Sequence, residues 1–200
     1  MSTAVVEFSS KLPAAVEPAP NAVEGAPPEA VLTQMITGSL GSQAVYVAAQ
    51  LGIADLLSGG PRHVDDLARA ADADAPSLYR VLRALASFGV FQEHNNQTFS
   101  LTPTGELLRS DSPRSLRDLA IFMGEDWHWR VWGRTLYSVR TGKAAWKQVH
   151  GQEVFPYFAA NPEAAKIFDR AMTSLSNLAI NAVVEGYDFS DIEALVDVAG

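Results

Sequence analysis

Cysteine is absent from all 200 residues, which excludes a disulfide framework, a thiolate nucleophile and a zinc–thiolate centre. Long apolar runs are absent as well. None reaches the roughly 18 residues that a bilayer span requires, and the N-terminus lacks the cationic segment and apolar stretch of a secretion signal. Cations are scarce, 15 Lys and Arg against 23 Asp and Glu, for a formal net charge of −8. That balance argues against wrapping nucleic acid, because Lys and Arg on phosphates supply most non-specific affinity. The chain therefore reads as globular and cytoplasmic, with neither nucleic acid nor membrane among its partners. Its 48% hydrophobic content is enough core for one domain or two small ones.

The signatures of catalysis are also missing. There is no Gly-x-Ser-x-Gly elbow, no phosphate loop with lysine and no metal-ligand spacing. The four histidines, His63, His94, His128 and His150, are scattered. Only His128, close to Asp126 and among tryptophans, invites the role of a base, and a structural histidine is the favoured reading. No catalytic constellation lies within these residues; if the parent protein is an enzyme, its chemistry is expected beyond Gly200.

What is present has a clear order. Residues 1–30 hold Pro13, Pro18, Pro20, Pro27 and Pro28 with few large apolar side chains, so they read as a disordered tail. From Glu29 to Leu57 apolar residues recur at helical spacing, although Gly38 and Gly41 predict either a break or the close approach of another backbone. Residues 63–108 then give two short helices, the second opened by Asp74 and Pro76 with an inner face of Leu78, Val81, Leu82, Leu85 and Phe88. Gly89 stops it, Val90 and Phe91 start a strand, HNNQ turns, Phe99 and Leu101 return, and Thr102 with Pro103 caps a further helix. Helix, helix and two-stranded wing resemble a winged-helix module over residues 31–110. Residues 31–120 carry seven arginines against nine acidic residues, a formal charge of −2, so scaffolding or dimerisation is favoured over DNA binding.

Residues 115–150 read as helical, with Trp129, Trp132 and Leu136 on one face, which suits either a core or interface or an aromatic-substrate pocket. The EVFPYF segment, with Phe155, Tyr157 and Phe158, reads as irregular. Asn161, Pro162 and Glu163 start a long helix with the apolar face Phe168, Met172, Leu175, Ala179, Ala182 and Val183, closed by Gly186. Its polar strip, Thr173, Ser174, Ser176 and Asn177, is either a ligand edge or a solvated face. LVDVAG, residues 195–200, reads as a buried strand followed by a glycine turn. It is either the first strand of a nucleotide-binding sheet or a strand closing a local one.

The motifs SQAVYVAAQLGIADLL, LYRVLRALASFGVF, FSLTPTGELL, LYSVRTGKAAW, FDRAM and YDFSDIEALVDVAG, in that order, resemble the S-adenosylmethionine-dependent O-methyltransferases of the plant caffeate and bacterial polyketide type. The likeness runs from about residue 31 to Gly200. It implies a mainly α fold: a winged-helix dimerisation module at 31–110, a helical linker and acceptor-pocket region at 111–189, and at 190–200 the first strand of a truncated Rossmann-like α/β domain. It further implies a homodimer, a small-molecule acceptor and S-adenosylmethionine as cofactor. By the same resemblance Met123, Trp132, Phe155, Phe168 and Met172 are acceptor-side residues, while Ser176, Asp197 and Gly200 meet the methyl donor. Ala199 departs from the family's glycine motif. The implied reaction is in-line methyl transfer to a phenol or hydroxyl in a closed apolar pocket, typical of secondary metabolism, with the base beyond Gly200 and the 200-residue chain inactive by itself. The alternatives are a winged-helix transcription regulator with an aromatic-ligand pocket and a non-methylating relative of the same fold.

Overall fold

The computed structural model describes residues 27–188, 190 and 196. The tail at 1–26 and most of the expected strand at 195–198 lie outside the described residues. Contacts group Met1–Gly38 as one compact unit and Ser39–Gly200 as another. Helix α1, Pro28–Gln50, carries residues of both.

Neither expectation for the α1 glycines holds. The helix is continuous, a Cβ on Gly38 would meet nothing within 4 Å, and one on Gly41 would meet the Phe88 ring at 3.6 Å rather than another backbone. α1 also ends at Gln50 rather than near Leu57. Gly52 takes a φ of 63°, which stops the helix before the single turn α2, Ile53–Leu56.

The next stretch follows the expected order. It comprises α3 at Val64–Ala70 and α4 at Ala75–Ser87, then β2 at Phe91–His94 and β3 at Thr98–Leu101. Asp74 caps α4, its Oδ1 accepting from the Ser77 amide at 2.9 Å, and the Ser77 hydroxyl together with that amide holds its carboxyl below the ordinary carboxylate range. Asp74→Ala should therefore lower Tm by about 2–4 °C, the usual scale for one lost cap in a chain of this length. The loss should shrink as pH falls and the native carboxylate protonates, because a lowered native pKa contributes stability only above the unfolded value. Thermal melts at pH 7 and pH 3 check both statements.

The expected two-stranded wing is a three-stranded antiparallel sheet. A short strand β1, Arg62–His63, adds to β3 with Arg62 opposite Phe99, giving the order β1-β3-β2. Two residues with no alternation were too little signal to find it. Ile53, Leu57, Val64, Leu67, Leu78, Leu82, Leu85, Phe91 and Phe99 are all buried beneath α2–α4 and the sheet. Phe88 departs from the expected inner face: α4 ends at Ser87, and Phe88, as its C-cap, is 62% exposed. Thr102 accepts from the Gly105 amide at 3.1 Å and so opens the 3₁₀ turn Gly105–Leu108.

The helical stretch expected at 115–150 is four short helices, α5 Arg117–Gly124, α6 Asp126–Trp132, α7 Thr135–Thr141 and α8 Trp146–His150, followed by α9 Val154–Ala160. The chain bends at Glu125, whose ψ of 135° is not helical, and Gly142 and Gly151 take φ of 69° and 73° at helix ends. The expected Trp129, Trp132 and Leu136 face is accordingly broken, with Trp132 59% and Leu136 60% exposed. EVFPYF is largely helical rather than irregular: Pro156 sits in the first turn of α9, where no amide has an intrahelical acceptor to lose.

The last element, α10, runs Pro162–Gly186. Asn161 occupies its cap position without capping it; its side-chain Nδ2 instead donates to the Tyr157 carbonyl at 2.9 Å at the end of α9. α10 packs along α5, with Ala164 and Ala171 buried. Arg170 Nε donates to Asp118 at 3.2 Å beside that contact. The apolar face expected to continue buried through Leu175 and Val183 does not, since these are 40% and 55% exposed. Among the described residues no helix is long and apolar enough to cross a membrane.

Candidate functional site

α5, α6, α8, α9 and α10 converge on one aromatic cluster. Phe168 of α10 stacks on Phe158 of α9 at 4.9 Å between centroids and meets Phe122 of α5 edge-on at 5.8 Å. Phe122 in turn packs on His128 at 4.2 Å and on Trp127 at 5.6 Å. Trp127 reaches Trp146, Tyr157 and Phe158. Such offset and edge-on pairs each add about 0.5–1.5 kcal/mol beyond the area they bury, which fixes the mutual placement of these five helices. Burial raises the Tyr157 phenol above its ordinary range. Trp146 Nε1 is buried without an acceptor among the described residues.

Two hollows border α5. The first, about 350 Å³, is apolar and lined by Val45, Val90, Leu107, Leu116, Leu119 and Met123. The second, about 310 Å³, is polar: Arg114 and Asp118 face Arg170, Thr173, Ser174 and Asn177 of α10. Three of the four residues of the expected polar strip therefore border a recess. Ser176 does not.

The residues proposed from the sequence fall into separate places. Phe168 and the half-buried Met172 lie on the α10 face, Phe168 inside the aromatic cluster. Met123 is half-buried and lines the apolar hollow. Trp132 is exposed but tied down, its Nε1 donating to His128 Nε2 at 3.1 Å. Phe155 is 77% exposed and makes none of the ring contacts found for its neighbours Tyr157 and Phe158. Ser176 is exposed on α10, and Asp197 and Gly200 lie outside the described residues. The sequence reading missed Phe122, Trp127 and Phe158 as the residues that hold Phe168. Local spacing does not pick Phe158 over Phe155, since residues three apart share a helix face, yet Phe155 is exposed and Phe158 buried.

None of the four histidines is arranged as a base. His63 Nδ1 accepts from the Asp65 amide at the start of α3, at 3.2 Å. His94 pairs with Ser100 Oγ at 2.7 Å. His150 Nε2 donates to the Trp127 carbonyl at 2.9 Å. His128 has both nitrogens engaged within the aromatic cluster. Among the described residues no cluster of His, Cys, Asp and Glu is suited to a metal ion.

Known proteins account for this combination of a helical core, a small sheet and an aromatic cluster. Residues 33–111 match the O-methyltransferase dimerisation domain and residues 132–200 match the O-methyltransferase domain, in the order the family carries them. Phenazine O-methyltransferase PhzM of Lysobacter antibioticus is 42% identical over 178 residues, 89% of this chain and 52% of that protein. The crystal structure of LaPhzM superposes with a TM-score of 0.77 at 44% identity, covering 82% of this chain and 49% of that one. NcsB1, an O-methyltransferase from neocarzinostatin biosynthesis solved with S-adenosylmethionine and 2-hydroxy-5-methyl naphthoic acid, is 30% identical with a TM-score of 0.60, over 74% and 46% of the two chains.

These matches define an O-methyltransferase dimerisation domain followed by a stretch of the O-methyltransferase domain. The chain belongs to the S-adenosylmethionine-dependent O-methyltransferase family. It spans about half the length of the curated relatives it matches, 52% in the case of the phenazine enzyme. S-adenosylmethionine is the family's methyl donor. Of the residues assigned to it here, Ser176 is exposed and lines neither hollow, and the other two are not described.

Proposed function

We propose that these residues form the dimerisation and acceptor-binding part of an O-methyltransferase that methylates a phenolic or hydroxylated aromatic compound of secondary metabolism in the cytoplasm. The observation that carries this reading is the aromatic cluster around Phe168, drawn from residues between the two domain matches, such as Phe122, and from the first part of the second match. Residues 31–110 serve as a winged-helix dimerisation module, residues 111–189 as the acceptor region, and residues 190–200 as the start of the methyl-donor domain. Phe168, Met172 and Met123 face the acceptor, with Trp132 at its rim and Phe155 further out. Ser176, Asp197 and Gly200 serve the donor, which supplies the electrophilic methyl group when bound. The chain's own contribution is shape, orientation and exclusion of water around the acceptor ring.

The homodimer follows the same logic. Leu32, Met35, Ile36 and Leu40 share one face of α1, within or next to the dimerisation match, and are 58% to 76% exposed. An apolar stripe of that kind is an association surface in a chain with a net charge of −8. DNA binding draws no comparable support, since α4 offers only Arg80 and Arg83 as exposed cations.

Sedimentation equilibrium of the 200-residue chain should give twice its 21.5 kDa mass. The isolated chain should transfer no labelled methyl group from S-adenosylmethionine. Joined at Gly200 to the second half of the phenazine relative, it should methylate hydroxylated polycyclic aromatics, and Met172→Ala should raise KM for the acceptor about tenfold, the worth of one to two buried methylenes. A folded chimera whose acceptor KM ignores Met172→Ala would overturn the acceptor assignment. Methyl transfer by the unextended chain would overturn the placement of donor and base.

A further inference from the structure

His128 stands between three of the residues the acceptor reading depends on, and that reading gives it no task. Its Nδ1 lies 3.5 Å from the Met123 carbonyl, a group that only accepts, at the C-terminal end of α5 where carbonyls lack helical partners. Its Nε2 lies 3.1 Å from Trp132 Nε1, which only donates. Together the two contacts admit one protonation state, the neutral ring with its proton on Nδ1. The imidazole face covers Phe122 at 4.2 Å between centroids, and Phe122 meets Phe168 at 5.8 Å. Turning the ring would break both hydrogen bonds and the stack at once.

Charged neighbours are engaged elsewhere. On its own helix, Asp126 pairs with Arg130 at 3.3 Å, and Glu125 just before it accepts from Gln50 at 2.9 Å. On α5, Arg117 donates to the Ala49 carbonyl, and Asp118 pairs with Arg170 of α10. Asp169 of α10 is exposed. Burial is what lowers the His128 pKa from its ordinary 6.5, the Met123 carbonyl opposing it.

We infer that His128 is a positioning residue: it fixes the Trp132 indole at the rim of the acceptor pocket by accepting from Trp132 Nε1 while its other nitrogen holds the Met123 carbonyl. This rests on the assignment of Met123, Trp132 and Phe168 to the acceptor. The imidazolium would place a donor against the Trp132 donor, so protonation releases the indole. The native ring is neutral above 6.5. As pH falls below that value, the unfolded chain takes up the proton first, so the contribution of this network to stability is lost on the acid side.

Nitrogen-15 correlation spectra of the labelled 200-residue chain test this, because its four tryptophans give four indole signals. The Trp132 signal, identified by its loss in Trp132→Phe, should sit at a hydrogen-bonded position at pH 7.5 and move to a solvent-exposed one below pH 6.5, together with the His128 ring carbons. His128→Phe should put it at the exposed position at every pH. His128→Gln, which keeps an acceptor, should restore a bonded position that no longer titrates. A Trp132 indole already at the exposed position at pH 7.5, or one whose pH course survives in His128→Phe, would overturn the inference. Should His128→Phe fail to fold by circular dichroism, the native titration and His128→Gln decide alone. None of these readouts requires methyl transfer, so failure here and failure of the chimera are separate results.

Discussion

Replacing Gly124 with alanine should destabilise the protein by about 3 kcal/mol, the upper end of the usual cost of forcing a methyl group into a filled space. A Cβ on Gly124 would meet Cβ, Cγ and Cδ2 of Tyr46. These atoms are the root of the ring rather than a movable tip. Tyr46 is also tied by its hydroxyl to Glu125 at 3.4 Å, directly after Gly124, so the ring has little freedom to turn aside. At about 2–4 °C per kcal/mol for this size of chain, Tm should fall by roughly 6–12 °C. Gly133→Ala is the control: its new Cβ would stand 3.5 Å from the Arg130 carbonyl, an ordinary contact at a φ of −61°, and Tm should stay within a degree or two of the native value. Adding Tyr46→Ala to Gly124→Ala should recover part of the loss, a coupling that two independent sites would not show.

Phe99→Ala should cost about 3–5 kcal/mol, the range for emptying a buried phenylalanine site. Phe99 is fully buried in the middle strand of the sheet, opposite Arg62 on one side and Glu93 on the other. Tyr79 of α4 meets its ring edge-on at 6.1 Å. The cavity cannot collapse easily, because Tyr79 is held away by its bond to Glu93 at 2.9 Å, and that carboxylate also raises the Tyr79 phenol above its ordinary range. A domain's whole stability is only about 5–15 kcal/mol, so this variant should be partly unfolded at 37 °C. Urea titration followed by circular dichroism measures the loss; a change below 1 kcal/mol would mean that the sheet repacks around the gap.

Much of this architecture is legible in the residues. Asp74 and Pro76 mark the start of α4, Gly89 its stop, and the spacing of Leu78, Leu82 and Leu85 its buried stripe, because cap chemistry and periodicity are local signals. The misses come from tertiary packing. Glu125 carries no sign that the chain turns there, yet its extended backbone splits the expected helix, so that Trp127 and Trp132 sit on α6 rather than on a continuation of α5. Gln97 holds a φ of 51°, unusual for its type, and its carbonyl accepts from Val64 at 3.0 Å, a contact no local pattern announces. In the candidate site, the helical face of α10 was readable in Phe168 and Met172. The partners of Phe168 were not, since Phe122 and Phe158 reach it from helices 46 and 10 residues away in the chain. His128 shows the limit most clearly: its neighbours in sequence suggest a base, whereas its neighbours in space occupy both nitrogens.

All four tryptophans, Trp127, Trp129, Trp132 and Trp146, fall on α6 and α8, and none lies between residues 27 and 126. Intrinsic emission therefore watches one end of the protein and is blind to the helices and sheet around Phe99. Melting of that silent part would appear in backbone ellipticity while the emission maximum stayed in place. Agreement of the two optical transitions would mean that the aromatic helices and the small sheet unfold as one cooperative unit; a gap between them would resolve two, with the aromatic helices able to outlast the sheet and the helices packed on it.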